Sequence, residues 1–136
     1  MRELAEDHRP YALVTDDDML IRMDAADILE AAGFRTYEAS DVDEALKILC
    51  EHHASIVLLF TDVEMPGPMN GFGLARAVAE QWPHIGILIA SGRYKPGPDD
   101  LPGGAHFVGK PFSADVVHDR LRELLPDGMQ PEPLKR

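Results

Sequence analysis

The chain has 136 residues, the length of one ordinary domain, and its apolar content of 45% excludes a disordered tail. Its formal charge of −11 argues against binding to nucleic acid or to anionic membrane surfaces. The longest apolar run has only five residues, the amino terminus lacks a signal-peptide-like apolar stretch, and the single cysteine allows no internal disulfide, so we expect a cytoplasmic protein.

Short apolar runs of β type alternate along the chain with segments of helical periodicity. Strands are predicted at Tyr11 to Thr15, Phe34 to Ala39, Ile56 to Thr61, Gly86 to Ala90 and His106 to Gly109. Helices are predicted after the first three strands and after the fifth. Their predicted starts lie at Ser40 or Asp41, Asn70 and Ser113, and their predicted ends lie at Gly33, Pro83 and Pro126. We expect an amino-terminal extension at 1–10, one domain at 11–126 and a tail at 127–136.

This alternation, with strands that are apolar throughout, predicts a parallel sheet covered by helices on both faces. Five such strands most economically form a flavodoxin-like, doubly wound sheet of order 2-1-3-4-5. Residues 94–105, which would hold the fourth helix, contain three prolines and three glycines. Because both residue types oppose helix formation, we expect that helix to be missing or reduced to a turn. Without this helix we expect a monomer or a weak homodimer.

The functional crevice of such a sheet lies at the carboxyl ends of its strands, beside the change in strand order. This rule selects Asp16, Asp17, Asp62, Ser91 and Lys110. Converging carboxylates repel one another unless a cation is present, and Mg²⁺ suits carboxylate and phosphate oxygens. A nearby lysine adds positive charge for an anion that arrives with the metal. A carboxylate nucleophile, a metal site and a lysine are the parts that phosphoryl transfer requires.

Four segments at these strand ends resemble, in order, the signature segments of the receiver (CheY-like) family of response regulators. They are Ala12 to Asp18, Thr61 to Gly67, Ile89 to Gly92 and Phe107 to Phe112, and the resemblance covers about residues 11–125. It implies a phosphoacceptor domain of two-component signalling. The donor would be the phosphohistidine of a sensor histidine kinase or histidine phosphotransfer protein, and the phosphorylated form would signal to a downstream protein target.

The resemblance implies roles for the acidic residues. Asp62 would be phosphorylated. Asp17, Asp62 and the main-chain carbonyl of Glu64 would bind Mg²⁺, with Asp16 holding a metal-bound water. Asp18 is more simply interpreted as a residue at the start of a helix, where the helix dipole favours a negative charge.

The resemblance also implies roles for residues of the fourth and fifth strand ends. Lys110 would pair with the phosphoryl group, and Ser91 would turn inward to donate a hydrogen bond to it. Phe107 would be the switch aromatic, which packs inward when Ser91 moves. A cis peptide bond is expected before Pro111. Such a protein assists only its own phosphorylation and dephosphorylation and is not an enzyme for other substrates.

Two alternatives remain open at this point. Asp16 to Asp18 also resembles the Asp-x-Asp signature of haloacid dehalogenase-like phosphatases, which depend on Mg²⁺ too. Against that interpretation, Asp99 and Asp100 precede Lys110, whereas the acidic motif of those phosphatases should follow it. The second alternative is a receiver module excised from a hybrid histidine kinase, which the sequence cannot separate from a stand-alone protein.

Overall fold

The computed structural model describes residues 9–92, 97 and 101–135. Its strands are β1 (Tyr11–Thr15), β2 (Arg35–Ala39), β3 (Ile56–Asp62), β4 (Gly86–Ser91) and β5 (His106–Gly109). Its α-helices are α1 (Met19–Ala31), α2 (Val42–His52), α3 (Gly71–Gln81) and α4 (Ala114–Leu124). Short 3-10 turns occupy His53–Ser55, Asp127–Met129 and Glu132–Lys135. The predicted bounds of β1 and β5 are confirmed, and each other strand differs by one residue at one end.

The five strands form one sheet of order β2-β1-β3-β4-β5, and all four neighbouring pairs are parallel. This confirms the predicted doubly wound, flavodoxin-like arrangement. The strand order changes direction between β1 and β3, so the carboxyl ends of these two strands flank the crevice that such sheets use for ligands.

Two hydrophobic clusters cover the two faces of the sheet. Successive residues of β3 point to opposite faces, so that Leu58 and Phe60 join the cluster beneath α1 and α4, whereas Leu59 joins the cluster beneath α2 and α3. Because both faces are covered, the central strands contain apolar residues at consecutive positions rather than at alternate ones.

Each α-helix begins after a polar side chain that accepts a hydrogen bond from a main-chain N–H of the first turn. These capping residues are Asp18, Asp41, Asn70 and Ser113. The last two are the predicted caps, Asp41 is one of the two residues predicted for α2, and Asp18 is expected from the sequence only to stand at the start of a helix. Such a cap contributes about 1 kcal/mol of stability. Since Asp18 caps α1, only Asp16 and Asp17 lie between β1 and that cap. At the other end of α1, Gly33 has a φ of 104°, which ends the helix.

The connection between β4 and β5 is described at Gly92, Gly97 and 101–105, and none of these residues is helical. A turn closes there through a hydrogen bond of 3.1 Å from the Ala105 N–H to the Pro102 carbonyl oxygen. The rest of the predicted helix-poor segment, residues 93–96 and 98–100, lies outside the described residues. The described residues of this connection are therefore without a helix, which agrees with what the prolines and glycines predict for that part of it.

Residues 127–135, the C-terminal segment, fold back against α1 and α4. Leu134 is fully buried in the cluster beneath those helices, and its carbonyl oxygen accepts a hydrogen bond of 2.7 Å from the Arg122 Nε. A Cβ atom on Gly33 would lie 2.6 Å from the Cβ of Pro131. The absence of a side chain at Gly33 thus lets the segment approach the end of α1.

Aromatic rings cluster at the amino-terminal edge of the sheet. The ring of His53 stacks on that of Trp82 with centroids 5.6 Å apart, and the Nε2 of His84 lies 2.9 Å from the His53 carbonyl oxygen. These residues flank the starts of β3 and β4, whereas Asp62 ends β3 at the opposite edge. None of the helices in the described part of the chain is long and apolar enough to cross a membrane.

Candidate functional site

Three carboxylates meet at the carboxyl edge of the sheet, at the change in strand order. One oxygen from each of Asp16, Asp17 and Asp62 lies within 4.8 Å of the other two. The register pairs Thr15 of β1 with Thr61 of β3, so the residues that follow these threonines end level with each other. Asp16 and Asp62 are buried and Asp17 is exposed, so the cluster opens to solvent on the Asp17 side.

Lys110, which follows β5, extends its side chain across the end of β4 to the acidic cluster. Its Nζ lies 3.0 Å from an oxygen of Asp16 and 3.0 Å from an oxygen of Asp62. Its main-chain N–H donates a 3.0 Å hydrogen bond to the Ser91 carbonyl oxygen, and the peptide bond to Pro111 is cis, as predicted. One ammonium among three carboxylates leaves the cluster with a net negative charge.

Burial raises the pKa of Asp62 above the ordinary value, since the carboxylate loses contact with water. The Lys110 ammonium opposes this rise, the Asp16 charge adds to it, and the Glu64 main-chain N–H opposes it. Burial also acts to lower the pKa of Lys110, but attraction to Asp62 and Asp16 outweighs it and the pKa is raised. The ammonium therefore keeps its charge beside the carboxylates.

The Asp62 Oδ1 is buried and accepts no directed hydrogen bond from the described residues, although the Lys110 ammonium lies beside it. Buried carboxylate oxygens ordinarily have such a partner. Asp16 differs in this respect, because its Oδ1 accepts a hydrogen bond of 2.9 Å from the Asp18 N–H and its Oδ2 accepts one from Lys110. Asp16 is thus held by a main-chain N–H as well as by Lys110, whereas the contact described for the Asp62 Oδ1 is the ion pair with the Lys110 ammonium.

The other predicted site residues lie on neighbouring segments. Ser91 is buried at the end of β4, next to Asp62 at the end of β3. Phe107 lies within β5, paired in register with Ile89 and partly buried against the cluster beneath α2 and α3. Glu64 is exposed and, with Asp17, lines an open cleft of about 530 Å³.

Gly71 is a residue next to the site whose contact with Asp62 is not predicted by the sequence. It begins α3, and its N–H donates a 2.8 Å hydrogen bond to the Val63 carbonyl oxygen. A Cβ at this position would overlap the main-chain oxygen of Asp62 and lie 2.9 Å from the Val63 Cα. The only indication in the sequence is that a glycine follows the Asn70 cap directly, at a position where a helix does not itself require glycine.

The fold and the site together define a class of protein. It is an open, doubly wound α/β domain with an acidic crevice and a lysine where the strand order of the sheet changes direction. The family described as response regulator receiver domain matches residues 12–122. The chain therefore belongs to the receiver domain family of two-component response regulators, and its acidic pocket fits the phosphoacceptor site of that family. This membership does not favour the phosphatase alternative.

Sequence relatives include regulators and a sensor kinase. The aerobic respiration control protein ArcA of Escherichia coli (strain K12) is 31% identical over 119 residues, which span 85% of this chain and 48% of ArcA. The CAI-1 autoinducer sensor kinase/phosphatase CqsS of Vibrio cholerae is 30% identical over 119 residues, 84% of this chain and 17% of CqsS. The chain thus spans about half the length of ArcA and less of CqsS.

Solved structures of both stand-alone and kinase-attached receivers resemble this fold. The chemotaxis response regulator CheY4 of Vibrio cholerae has a TM-score of 0.74 at 27% identity, over 86% of this chain and 99% of CheY4. The receiver domain of the hybrid histidine kinase CckA has a TM-score of 0.73 at 29% identity, over 85% of this chain and 99% of that domain. The alternative of a module from a hybrid kinase therefore stays open.

Proposed function

We propose that Asp62 accepts a phosphoryl group and that the phosphorylated domain signals through protein contacts. The observation that supports this proposal is the buried Asp62 carboxylate, whose Oδ1 lies 3.0 Å from the Lys110 ammonium, beside Asp16 and Asp17. A carboxylate nucleophile beside a lysine and beside carboxylates that can hold a metal ion is what such a transfer needs.

In the proposed step an Asp62 oxygen forms a bond to the phosphorus of a phosphohistidine as the phosphorus–nitrogen bond breaks. The imidazole of the donor leaves with the electron pair. Lys110 then pairs with the phosphoryl oxygens, and this contact replaces its ion pair with the unphosphorylated Asp62 carboxylate. Ser91 turns to donate a hydrogen bond to them, and Phe107 packs into the space that this movement opens.

The donor set at this edge suits Mg²⁺, which prefers carboxylate and carbonyl oxygens and retains waters. We propose that Asp17, Asp62 and the main-chain carbonyl of Glu64 hold the ion, with Asp16 holding one of its waters. When bound, Mg²⁺ would supply positive charge that offsets the negative charge of the carboxylates and of the phosphoryl group. The convergence of three carboxylates around a single ammonium, which leaves the cluster with a net negative charge, supports this assignment.

A sensor histidine kinase or histidine phosphotransfer protein is the proposed donor, and a downstream protein is the proposed target. The sensor kinase among the relatives supports the first proposal. The large apolar side chains of Met19, Leu20 and Met23 are exposed on α1, which begins beside the acidic cluster, and they offer a partner an apolar surface there. We propose that the domain acts on its own phosphoryl group only and is a monomer or a weak homodimer.

The test is labelling with acetyl phosphate, followed by measurement of intact mass. We expect one phosphate per chain in the presence of Mg²⁺, none in excess EDTA and none in Asp62→Asn. The control variant Asp24→Asn removes an exposed carboxylate of α1 and should label like the wild type. Labelling that survives in Asp62→Asn would overturn the assignment, and continuous release of phosphate from a phosphomonoester would select the phosphatase.

A further inference from the structure

Arg22 lies one turn into α1 and extends back toward the acidic cluster. Its Nη1 donates a hydrogen bond of 2.9 Å to the main-chain carbonyl oxygen of Asp16. Its Nε lies 3.2 Å from a carboxylate oxygen of Glu38 in β2, and the Arg22 side chain is 17% exposed. The guanidinium thus connects α1, the loop after β1 and the neighbouring strand.

The carbonyl that Arg22 binds belongs to the peptide group joining Asp16 to Asp17. A peptide group is planar, so holding its oxygen also sets the direction of the chain that enters Asp17. The N–H of Asp16 is held separately, by a 3.1 Å hydrogen bond to the Ala39 carbonyl oxygen. Asp17 itself is exposed, and its place in the cluster depends on the main chain that carries it.

We propose that Arg22 is a positioning residue for the Mg²⁺ site. It holds the Asp16–Asp17 peptide in the orientation that brings the Asp17 carboxylate to the cluster, and Glu38 anchors the guanidinium. This inference rests on the proposed function. The planar fork of arginine donates in two fixed directions at once, whereas a lysine ammonium is a compact charge that cannot reproduce that geometry.

Two other roles would give different results. If Arg22 only fastened α1 to β2, its loss would lower stability and leave the Mg²⁺ affinity of the folded protein unchanged. If Arg22 acted only through its positive charge near the carboxylates, Arg22→Lys would behave like the wild type, and Arg22→Ala would bind Mg²⁺ more tightly because a repelling charge is gone.

The experiment is calorimetric titration of Mg²⁺ into the wild type, Arg22→Ala, Arg22→Lys and the control Arg120→Ala. Arg120 is an arginine of α4 that pairs with the exposed Glu123, so its variant matches the change in charge. We expect about tenfold weaker Mg²⁺ binding in Arg22→Ala, the usual scale for a residue that orients a metal ligand. Arg22→Lys should remain weakened, and Arg120→Ala should match the wild type.

A second measurement separates positioning from general damage. In acetyl phosphate labelling, Arg22→Ala should need more Mg²⁺ for half-maximal rate but reach the wild-type rate at saturation, with the same dependence on acetyl phosphate. Should Arg22→Ala fail to fold, Glu38→Ala, at an exposed position of β2, should weaken Mg²⁺ binding in the same direction and by less.

Unchanged Mg²⁺ affinity in the folded Arg22 and Glu38 variants would overturn the inference and leave the proposed function intact. Full recovery in Arg22→Lys would also overturn it. Absence of Mg²⁺ binding and of labelling in the wild type would instead overturn the proposed function, on which the inference rests.

Discussion

Asp62 is a carboxyl group whose burial favours its neutral form. Burial raises its pKa, and the nearby Lys110 ammonium offsets only part of that rise. Below the ordinary Asp value of about 4 both the folded and the unfolded chain hold the proton, so this group has no effect on stability there. As pH rises, the unfolded chain releases the proton first. Stability therefore falls through the interval up to the raised pKa, and the loss is complete above it.

Asp62→Asn should therefore melt at a higher temperature than the wild type at neutral pH in EDTA, because it removes this loss. The difference should shrink as pH falls and should vanish below about 4, where the wild-type carboxyl group is protonated in both states. Thermal unfolding followed by circular dichroism across this pH range measures it, with Asp24→Asn as the control. A neutral-pH melting temperature of Asp62→Asn at or below that of the wild type would contradict this account.

Mg²⁺ should raise the melting temperature of the wild type, because an ion that binds only the folded state stabilises it. At a free concentration 100 times the dissociation constant the gain is about 2.7 kcal/mol. Asp62→Asn and Asp17→Asn, which each lose a proposed ligand, should gain much less from the same titration. Equal Mg²⁺ stabilisation of all three proteins would place the ion elsewhere.

The convergence of the acidic residues and Lys110 could be predicted from the sequence because it follows from their positions at strand ends. The contacts of Gly71 and Arg22 could not, because they depend on distances between elements. The sequence marks Gly71 only as a residue after a cap, and nothing in it indicates that α3 starts against the main chain of Asp62. Arg22 likewise appears only as one charged residue on a helix.

At the level of elements, the start of α3 and the end of β3 are in direct main-chain contact. Gly71→Ala should destabilise the protein by about 1–3 kcal/mol, the usual effect of overpacking, because the new methyl group overlaps the Asp62 main chain. It should also slow labelling by acetyl phosphate, since Asp62, the proposed nucleophile, is displaced. Urea unfolding and the labelling rate measure the two effects.

Gly73→Ala is the matched control in the same helix. Its new methyl group would meet the Met69 Cγ at 2.6 Å, and that partly exposed, flexible side chain can move away. Alanine is favoured over glycine in a helix by about 1 kcal/mol, so this variant should be neutral or slightly more stable. Equal effects of the two substitutions would show that the contact with Asp62 is unimportant.

Helix starts and strand bounds were predictable because each has a local cause. Asp18 and Asn70 stand where the first-turn N–H groups need an acceptor, and the prolines of 94–105 cannot donate hydrogen bonds within a helix. The strands are apolar on both faces, which already predicts a covered parallel sheet. Errors of one residue occur at strand ends, where hydrogen bonding to the neighbouring strand decides the boundary.

For the molecule as a whole, the C-terminal segment is part of the hydrophobic core. Leu134→Ala should destabilise the domain by about 2 kcal/mol, the lower end for a buried leucine, because a terminal segment can partly close the cavity. Leu20→Ala, at a side chain that is 74% exposed, should change stability by less than about 0.5 kcal/mol. Urea unfolding of both variants measures the difference, and equal stabilities would mean that the segment does not hold to the core in solution.

This packing could not be predicted from composition. Residues 126–136 are rich in proline and charge, which is typical of a linker, and the family match ends at residue 122. The contact depends on Gly33, more than ninety residues earlier, where the absence of a side chain makes room for Pro131. A relation of that kind between distant positions leaves no local pattern in a single sequence.

The stacking of Trp82 on His53 has a practical consequence for spectroscopy. Trp82 is the only tryptophan of the chain, and it lies at the edge of the sheet opposite the acidic cluster. Its emission should therefore not change when ions or phosphoryl donors reach Asp62, yet it should change when the domain unfolds and the indole meets water. Indole fluorescence thus reports unfolding alone. Binding of ions or phosphoryl groups at the acidic cluster must be followed by calorimetry, mass spectrometry or nuclear magnetic resonance.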